Sequence, residues 1–568
     1  MTHHPLLTQA ELDLPDFVLL ETAAELTTWM GRLSQSSTAL AIDTETNGDN
    51  PRRHQICLIQ LGVWGLPVCL IDVRQLTLSD LRPVAALLQQ PRLKLLQNGK
   101  FDLTMLTAMG LPVRGPYADT LLQSRLLRCG EKVPHGLGDL ARFYLGLSLD
   151  KGEQTSFLTL GAEPLTISQC QYAARDVKVL QPLWAVQQAA LGSRRQDSVI
   201  NALEQQLLPV LVDMELQGVG IQPTVLQPIA CHWSGQVAAA AETVYEQLCP
   251  QADRPLSLFG AATPPPLNLN STKQVRDTLS AAGLEPDDTP KALLKQVGRH
   301  PVVASLLLYK YRVKQQIWLK RLQSAVEDGR AYVTYNQCPR QHGRLGNSLK
   351  LEQWQQPLDL FPLWQPAPGH ALLWCDLSTL PLQLLAHAAG EPRLLYDLKE
   401  GLEAPGLDSL VAIGCGVFAY RASGLQHWLW EQGHVLTVKE TTRLALHFFK
   451  TYQHVERYHQ TLKGSDFYKP TWLGRYRRLE VSNQRPSLSE RVSHVLLTGA
   501  SDLLKQLLTG LPTGIRPVLA CASGLLVECS VDSIERQQAA LQAQCQQQCQ
   551  SAIPPALPIP ISRVESSP

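Results

Sequence analysis

The hydrophobic and polar positions divide the chain into two parts of different character. Up to about residue 190, short apolar runs such as Ala39–Ile42 alternate with helical patterns, which predicts strands and helices in turn. After the polar stretch 191–197, apolar residues recur at helical spacing from Asn201 until Gly218, which predicts the first of several long amphipathic helices. We therefore expect an α/β domain over residues 1–192 and a mostly helical α+β domain over residues 193–568.

Four carboxylates and a tyrosine are the candidate catalytic residues of the first part. Asp43 and Glu45 end an apolar strand, and they point the same way because successive strand side chains alternate faces. Asp102 follows a second apolar segment, and Tyr172 and Asp176 are four residues apart on one helix face. Such a set can hold two Mg²⁺ or Mn²⁺ ions roughly 4 Å apart. The predicted metal ligands of a phosphodiester-cleaving site are Asp43, Glu45, Asp102 and Asp176, and Tyr172 is predicted to orient the attacking water.

In their order along the chain, these motifs resemble those of the DEDD exonuclease superfamily, in its tyrosine-bearing branch. Segments beginning at Asp119, His135 and Leu149 are also similar to segments of proofreading exonucleases and of ribonuclease D. The resemblance covers about residues 15 to 190. It implies a ribonuclease H-like mixed sheet and a metal-dependent 3′→5′ exonuclease that releases nucleoside 5′-monophosphates from DNA 3′ ends.

The second part resembles the polymerase region of family A DNA polymerases, whose type member also carries a 3′→5′ exonuclease. The similar segments occur in the family's order over about three hundred residues, and they begin at Asn201, Leu267, Tyr309, Thr334, Gly343, Cys375, Phe448, Leu473, Glu490 and Gly499. The resemblance implies a hand-shaped domain with a thumb, a palm and reduced fingers, which binds DNA.

The palm motifs of that family are only partly present here. Family members bind two metals with one aspartate in each of two motifs. The first motif keeps Asp376, but Pro381 and Gln383 stand at the family's glutamate and arginine. The second motif, Val-His-Asp-Glu in the family, reads Cys521-Ala-Ser-Gly524. Because the neutral oxygen of a serine cannot replace a carboxylate between two divalent ions, we expect nucleotidyl transfer to be lost.

The helix that binds the incoming nucleotide in family members is also altered. Leu407, Val411 and Ala419 align with the family's arginine, lysine and tyrosine, so a triphosphate would lack its cationic clamp. A shifted alignment would leave a working polymerase possible, with Glu528 or Asp532 as the second carboxylate.

Two stretches that interleave cations with aromatic rings are candidate nucleic-acid contacts, Tyr309–Arg321 and Phe467–Arg478. Lys and Arg can pair with phosphates while rings stack on bases. The same pattern is typical of a solvated helix face with buried aromatic rings, and the family resemblance favours DNA contact. The predicted contact residues are Lys310, Arg312, Lys314, Arg344, Arg475, Arg477 and Arg478.

Composition limits the context in which the chain works. The net charge of +1 gives no general attraction to nucleic acid, so binding must come from local patches. We expect a cytoplasmic monomer without a membrane segment, because no apolar run approaches the roughly 18 residues of a membrane span and the start lacks a signal sequence. The 13 cysteines show no zinc-type spacing and are expected to be reduced thiols.

Three alternatives to a DNA exonuclease stay open. A proofreading DNA polymerase would extend a primer when deoxynucleotides are added. An enzyme that trims RNA, as in ribonuclease D, would prefer structured RNA 3′ ends, with RNA as the partner. A non-enzymatic module would bind primer-template DNA without degrading it.

Overall fold

The structure is a computed structural model that describes residues 7–149, 152–192, 195–248, 267–338, 343–351, 358–400, 406–463, 469–477, 486–553 and 556–564.

A six-stranded mixed sheet forms the centre of the N-terminal part, with strand order β1-β4-β3-β2-β5-β6. Strands β2, β3 and β4 are antiparallel neighbours, whereas β1, β5 and β6 join parallel to their neighbours. Every residue of β3 and β4 is buried, as expected for strands covered on both faces. The strands are β1 Phe17–Leu20, β2 Leu40–Thr46, β3 Ile56–Gly62, β4 Val68–Asp72, β5 Lys94–Leu96 and β6 Tyr117–Asp119.

Helices cover this sheet on both faces. Alternation along β2 places Ile42 in the apolar cluster with α2 and α3, and Ala41 in the opposite cluster with Tyr172 of α7. A capping box at Thr166 begins α7. The helices are α1 Gln9–Asp13, α2 Ala23–Gln35, α3 Arg82–Leu88, α4 Lys100–Ala108, α5 Thr120–Leu127, α6 Leu137–Leu140, α7 Ile167–Lys178 and α8 Leu180–Gly192.

The C-terminal part is mostly helical and contains small antiparallel sheets. The helices are α9 Arg195–Gln217, α10 Pro223–Leu248, α11 Thr272–Ala281, α12 Pro290–Gln296, α13 Pro301–Ser324, α14 Leu380–Ala389, α15 Pro392–Glu400, α16 Leu407–Ala412, α17 Ala422–Glu431, α18 Val438–Thr451, α19 Gln453–Lys463, α20 Leu488–Ser493, α21 Gly499–Thr509 and α22 Ile534–Ala552. The strands are β7 Val219–Ile221, β8 Val326–Glu327, β9 Arg330–Ala331, β10 Tyr335–Gln337, β11 Leu345–Asn347, β12 Trp364–Gln365, β13 His370–Asp376, β14 Ile515–Cys521, β15 Gly524–Ser530 and β16 Ile561–Val564.

Helix α9 connects the two parts through its apolar side chains. Leu208 and Val212 belong to the core of the N-terminal part, whereas Leu207 and Leu211 belong to the large core of the C-terminal part. The helix ends before Gly218, whose φ of 59° lies in the left-handed region. The predicted helix end at this glycine is therefore confirmed.

A four-stranded sheet with order β14-β15-β13-β16 lies in the large core of the C-terminal part. Cys545 and Cys549, four residues apart on α22, are both buried in this core. The cysteines within the described ranges are free thiols. Among the described helices, none has the length and apolar character that crossing a bilayer requires.

Candidate active site

Strand β2 and helix α7 bring three of the predicted carboxylates together. The face of β2 that carries Ala41 also carries Asp43 and Glu45, and it faces the helix that carries Asp176. One ligand atom from each of Asp43, Glu45 and Asp176 lies within 4.8 Å of the others. In the described part of the chain, this is the only group of three or more potential ligands so arranged.

Asp102 lies beside this group, in the first turn of α4, and is buried. Its Oδ1 accepts a hydrogen bond from Thr44 Oγ1 at 2.7 Å. Thr44 is the residue between Asp43 and Glu45, so the strand that provides these two carboxylates also holds Asp102 in place. The sequence analysis missed Thr44, although a hydroxyl residue between the two acids was a visible signal.

Tyr172 is buried on α7 one turn before Asp176. Its ring packs against Phe157, with the ring centroids 6.2 Å apart. Burial, the surrounding carboxylates and a hydrogen bond with Asp176 raise the pKa of the tyrosine well above its usual range. The phenol therefore keeps its proton at neutral pH and can donate it in a hydrogen bond.

The carboxylates lie close together and are partly shielded from solvent, so they repel one another. Burial, followed by the charges of Asp102, Glu45 and Asp176, raises the pKa of Asp43 well above its ordinary value. Burial, followed by Asp176 and Asp102, raises the pKa of Glu45 to about 8. Burial likewise raises the pKa of Asp102 to about 7. Such a set of oxygen ligands fits a hard divalent cation, whose charge would offset the repulsion.

Among the predicted nucleic-acid contacts, Arg475 is a correction. Its guanidinium is fully buried and lies 2.5 Å from the Glu204 carboxylate and 2.7 Å from the Asp502 carboxylate. It cannot reach a bound strand, so the prediction that it contacts nucleic acid was wrong. Arg477 is also almost fully buried, 3.6 Å from Glu490.

Three of the predicted contact residues on α13 form ion pairs or hydrogen bonds within the protein. Lys310 lies 3.3 Å from Asp288, Lys314 lies 3.4 Å from Glu431, and Arg312 donates to Gln315 Oε1 at 2.8 Å. The rings of Tyr309 and Trp318 are buried, so they cannot stack on bases as predicted. Arg344 donates to the Ser493 carbonyl at 3.4 Å, and Arg478 lies outside the described residues. Lys310, Arg312, Lys314 and Arg344 stay predicted contacts.

The structure places the two palm motifs opposite each other. Asp376 at the end of β13 pairs with Gly524 at the start of β15, directly beside the turn Ala522–Ser523. Glu528 lies within β15 opposite Leu372, roughly 13 Å further along the strand. Its carboxylate accepts from Arg516 and from the Ala367 amide. Asp532 follows the end of β15, so neither acid reaches Asp376.

The middle of the segment aligned with the nucleotide-binding helix is embedded in the core, whereas Leu407 at its start is exposed. Leu410–Val417 runs through α16 into a π-helical turn, and all of its residues are buried. Ala419 adopts a φ of 52°, and Tyr420 stacks on Phe418 with the ring centroids 5.2 Å apart. This segment therefore presents apolar side chains to the protein interior.

Comparisons with known proteins agree with the division into two parts. Residues 17–187 match a family model described as a 3′-5′ exonuclease. DNA polymerase I of Chloroflexus aurantiacus is 25% identical over 433 residues, which are 70% of this chain and 44% of that protein. Over most of its length the chain is therefore similar to DNA polymerase I. It spans less than half the length of the first curated relatives it matches.

Two further matches differ in how much of the chain they cover. Ribonuclease D of Escherichia coli K12 is 36% identical over 151 residues, 26% of this chain and 38% of that protein. The solved polymerase domain of Pol1 from M. smegmatis, in complex with DNA primer-template and dNTP, covers 95% of this chain and 97% of its own with a TM-score of 0.72 at 18% identity. Together with the family-model match over residues 17–187, the fold match confirms the predicted fold class, a ribonuclease H-like exonuclease domain followed by a polymerase-like domain.

Proposed function

We propose that the protein is a metal-dependent 3′→5′ exonuclease that acts on DNA 3′ ends and releases nucleoside 5′-monophosphates. The observation that supports this most strongly is the group formed by Asp43, Glu45 and Asp176 within 4.8 Å of one another, in a domain that matches a 3′-5′ exonuclease model. Further support comes from Asp102 and Tyr172, which are buried and interact electrostatically with residues of this group. The domain boundaries near residue 192 and the roles of these residues are part of the proposal.

The proposed roles follow from the chemistry of each side chain. Asp43, Glu45, Asp102 and Asp176 would hold two Mg²⁺ or Mn²⁺ ions, which when bound lower the pKa of a water and stabilise charge on the leaving 3′ oxygen. Thr44 holds Asp102 in place through its hydroxyl. Tyr172, which keeps its proton, orients the attacking water. Asp43, Glu45 and Asp176 are half-buried, so their oxygens are accessible to a bound ion.

We further propose that the polymerase-like domain has lost nucleotidyl transfer. Asp376 lies beside the turn Ala522–Ser523, and neither residue of this turn provides the second carboxylate that two metals would need. The apolar segment Leu410–Val417 offers no cation for a triphosphate. The domain would then serve as a fold that binds or positions nucleic acid.

A primer assay separates these activities. A 5′-labelled recessed primer incubated with Mg²⁺ is expected to shorten at the same rate with and without the four deoxynucleoside triphosphates, as gel electrophoresis would show. Lengthening that requires the triphosphates would demonstrate a working polymerase. Binding of the primer-template without shortening would demonstrate a non-enzymatic module.

The acidic group should make stability depend on Mg²⁺ and pH together. Burial and neighbouring carboxylates raise the pKa of Glu45 from 4.5 to about 8, so between these values the metal-free folded state keeps a proton that the unfolded chain has lost. Stability of the metal-free protein therefore falls as the pH rises through this window. Bound Mg²⁺ would offset the negative charge of the carboxylates, so that Glu45 would stay ionised in the folded protein. Thermal unfolding is expected to show a Tm gain of several degrees from Mg²⁺ at pH 8 and little gain at pH 5.

The Glu45→Gln variant is the control for this experiment. It lacks the titrating carboxylate, so its metal-free Tm should fall less steeply between pH 5 and pH 8. An equal gain from Mg²⁺ at both pH values in the unaltered protein would show that the acidic group is not where the metal binds.

RNA 3′ trimming is a second candidate function. A stretch of 151 residues of the chain is 36% identical to ribonuclease D of Escherichia coli K12, compared with 25% identity to DNA polymerase I of Chloroflexus aurantiacus over 433 residues. A comparison of kcat/KM for single-stranded DNA and RNA of one sequence distinguishes the two. A preference for the RNA would replace DNA by RNA as the substrate while leaving the site unchanged.

A further inference from the structure

The loop that joins β2 to β3, residues 47–55, continues directly from the strand that carries Asp43 and Glu45. It is held closed at its base, where Asn47 Oδ1 accepts the Gln55 amide at 2.7 Å. His54 Nδ1 accepts the Asn50 amide at 3.0 Å, and its ring lies against Gly48, where a Cβ would come within 2.4 Å. The loop is therefore an ordered unit two residues away from a proposed metal ligand.

The outer side of this β2–β3 loop is bound by the polymerase-like domain. Arg52 Nε lies 3.0 Å from Glu327 Oε2, and Arg53 Nη2 lies 3.1 Å from Glu327 Oε1. The Arg52 guanidinium also lies over the Tyr332 ring, 3.5 Å from its centroid. One carboxylate and one ring thus hold two consecutive arginines of the loop.

The hairpin that carries Glu327 is itself fixed by hydrogen bonds to the rest of the polymerase-like domain. Glu327 ends β8, which pairs with β9 in a hairpin, and the Tyr332 amide donates to the Ala325 carbonyl at 2.9 Å. Arg330 of this hairpin donates to the carbonyls of Gln217 and Gly218 at the end of α9. The hairpin can therefore transmit the position of the polymerase-like domain to the β2–β3 loop.

We propose that Glu327 and Tyr332 are positioning residues for the exonuclease site, which hold the β2–β3 loop in the conformation that admits the 3′ end. The proposal rests on the exonuclease function proposed above. It gives the polymerase-like domain a role that requires no polymerase chemistry. An isolated surface ion pair contributes little to stability, but these contacts act together on one short loop beside Glu45.

The direction of the effect distinguishes positioning from simple electrostatics. Glu327→Gln removes a negative charge and releases two arginines, so attraction alone would strengthen the binding of a polyanionic strand. If the contacts position the loop, the same change weakens substrate binding because the loop is no longer held. We expect the KM for a single-stranded oligonucleotide to rise about fivefold with kcat changed less than about twofold.

The chain offers a matched control in Glu456→Gln. Arg421 lies 2.8 Å from Glu456 and 3.7 Å from the Phe449 ring centroid, which reproduces the same kind of ion pair and ring contact wholly within the polymerase-like domain. This variant should leave KM and kcat unchanged. Hydrogen exchange of residues 47–55, followed by mass spectrometry on the full-length protein, should become faster in Glu327→Gln and stay unchanged in Glu456→Gln.

Each outcome decides a separate question. An unchanged or lower KM for Glu327→Gln, or unchanged exchange in the loop, overturns the positioning role. Faster exchange together with a higher KM supports it. If the unaltered protein hydrolyses neither DNA nor RNA, the proposed function fails. Faster loop exchange in Glu327→Gln would then show that Glu327 holds the β2–β3 loop without a role in hydrolysis. That result would also overturn the proposal that Glu327 positions an exonuclease site.

Discussion

Replacing Asp43 by alanine is expected to lower the rate of 3′-end hydrolysis roughly a thousandfold or more while the protein stays folded. The carboxylate would be lost from the centre of the group that includes Glu45 and Asp176, and the remaining acids could no longer hold two cations in place. Release of labelled nucleotides from a 3′-labelled oligonucleotide in Mg²⁺ measures the effect.

The Asp43→Ala substitution should not lower the thermal stability of the metal-free protein, although it lowers the rate of hydrolysis. Burial and three neighbouring carboxylates raise the pKa of Asp43, so in the metal-free protein its removal relieves repulsion. Metal-free Tm is therefore expected to stay equal or to increase. Asp277→Ala, which removes an exposed carboxylate on α11, is the control and should hydrolyse normally. Retained hydrolysis in Asp43→Ala would overturn the site assignment.

The largest effect on stability is expected for Glu204→Gln. Glu204 on α9 is buried and accepts hydrogen bonds from Arg475 of the segment before α20, from Lys505 of α21 and from the Cys338 thiol. Although burial alone would raise its pKa, the charges of Lys505 and Arg475 outweigh burial and lower the pKa of Glu204 to about 2. The carboxylate is therefore charged in the folded protein.

Glutamine keeps the shape of this side chain but leaves two buried cations with less compensation. Breaking a buried pair in this way costs about 3 to 5 kcal/mol of unfolding free energy. Denaturation in urea, followed by circular dichroism, measures the change. Glu456→Gln breaks an exposed pair instead and should cost at most about 1 kcal/mol. A similar small loss for Glu204→Gln would show that the buried network contributes little.

Local patterns predicted what depends on local geometry. Strand alternation placed Asp43 and Glu45 on one face, and helical spacing placed Tyr172 beside Asp176. Gly218 correctly marked the end of α9. These predictions succeeded because side-chain direction within one strand or helix follows directly from its repeat.

Predictions that depend on distant partners were less successful. Arg475 is 271 residues from Glu204 along the chain, so its cationic pattern could not show that it is buried in ion pairs. Tyr309 and Trp318 of α13 likewise have Lys and Arg residues near them in the sequence, but their rings face the core. The ion pair between Glu327 and Arg52 joins residues 275 positions apart, and neither segment carries a sequence pattern that predicts it.

Helix α9 limits how this chain can change through evolution. Its adjacent apolar faces complete two cores at once, and its Glu215 also pairs with Lys100 of the exonuclease domain. A deletion of the polymerase-like domain would therefore remove part of the interior of the exonuclease domain as well. The proposed loss of nucleotidyl transfer would leave this requirement unchanged, because Leu208 and Val212 fill the core of the N-terminal part whatever the palm catalyses.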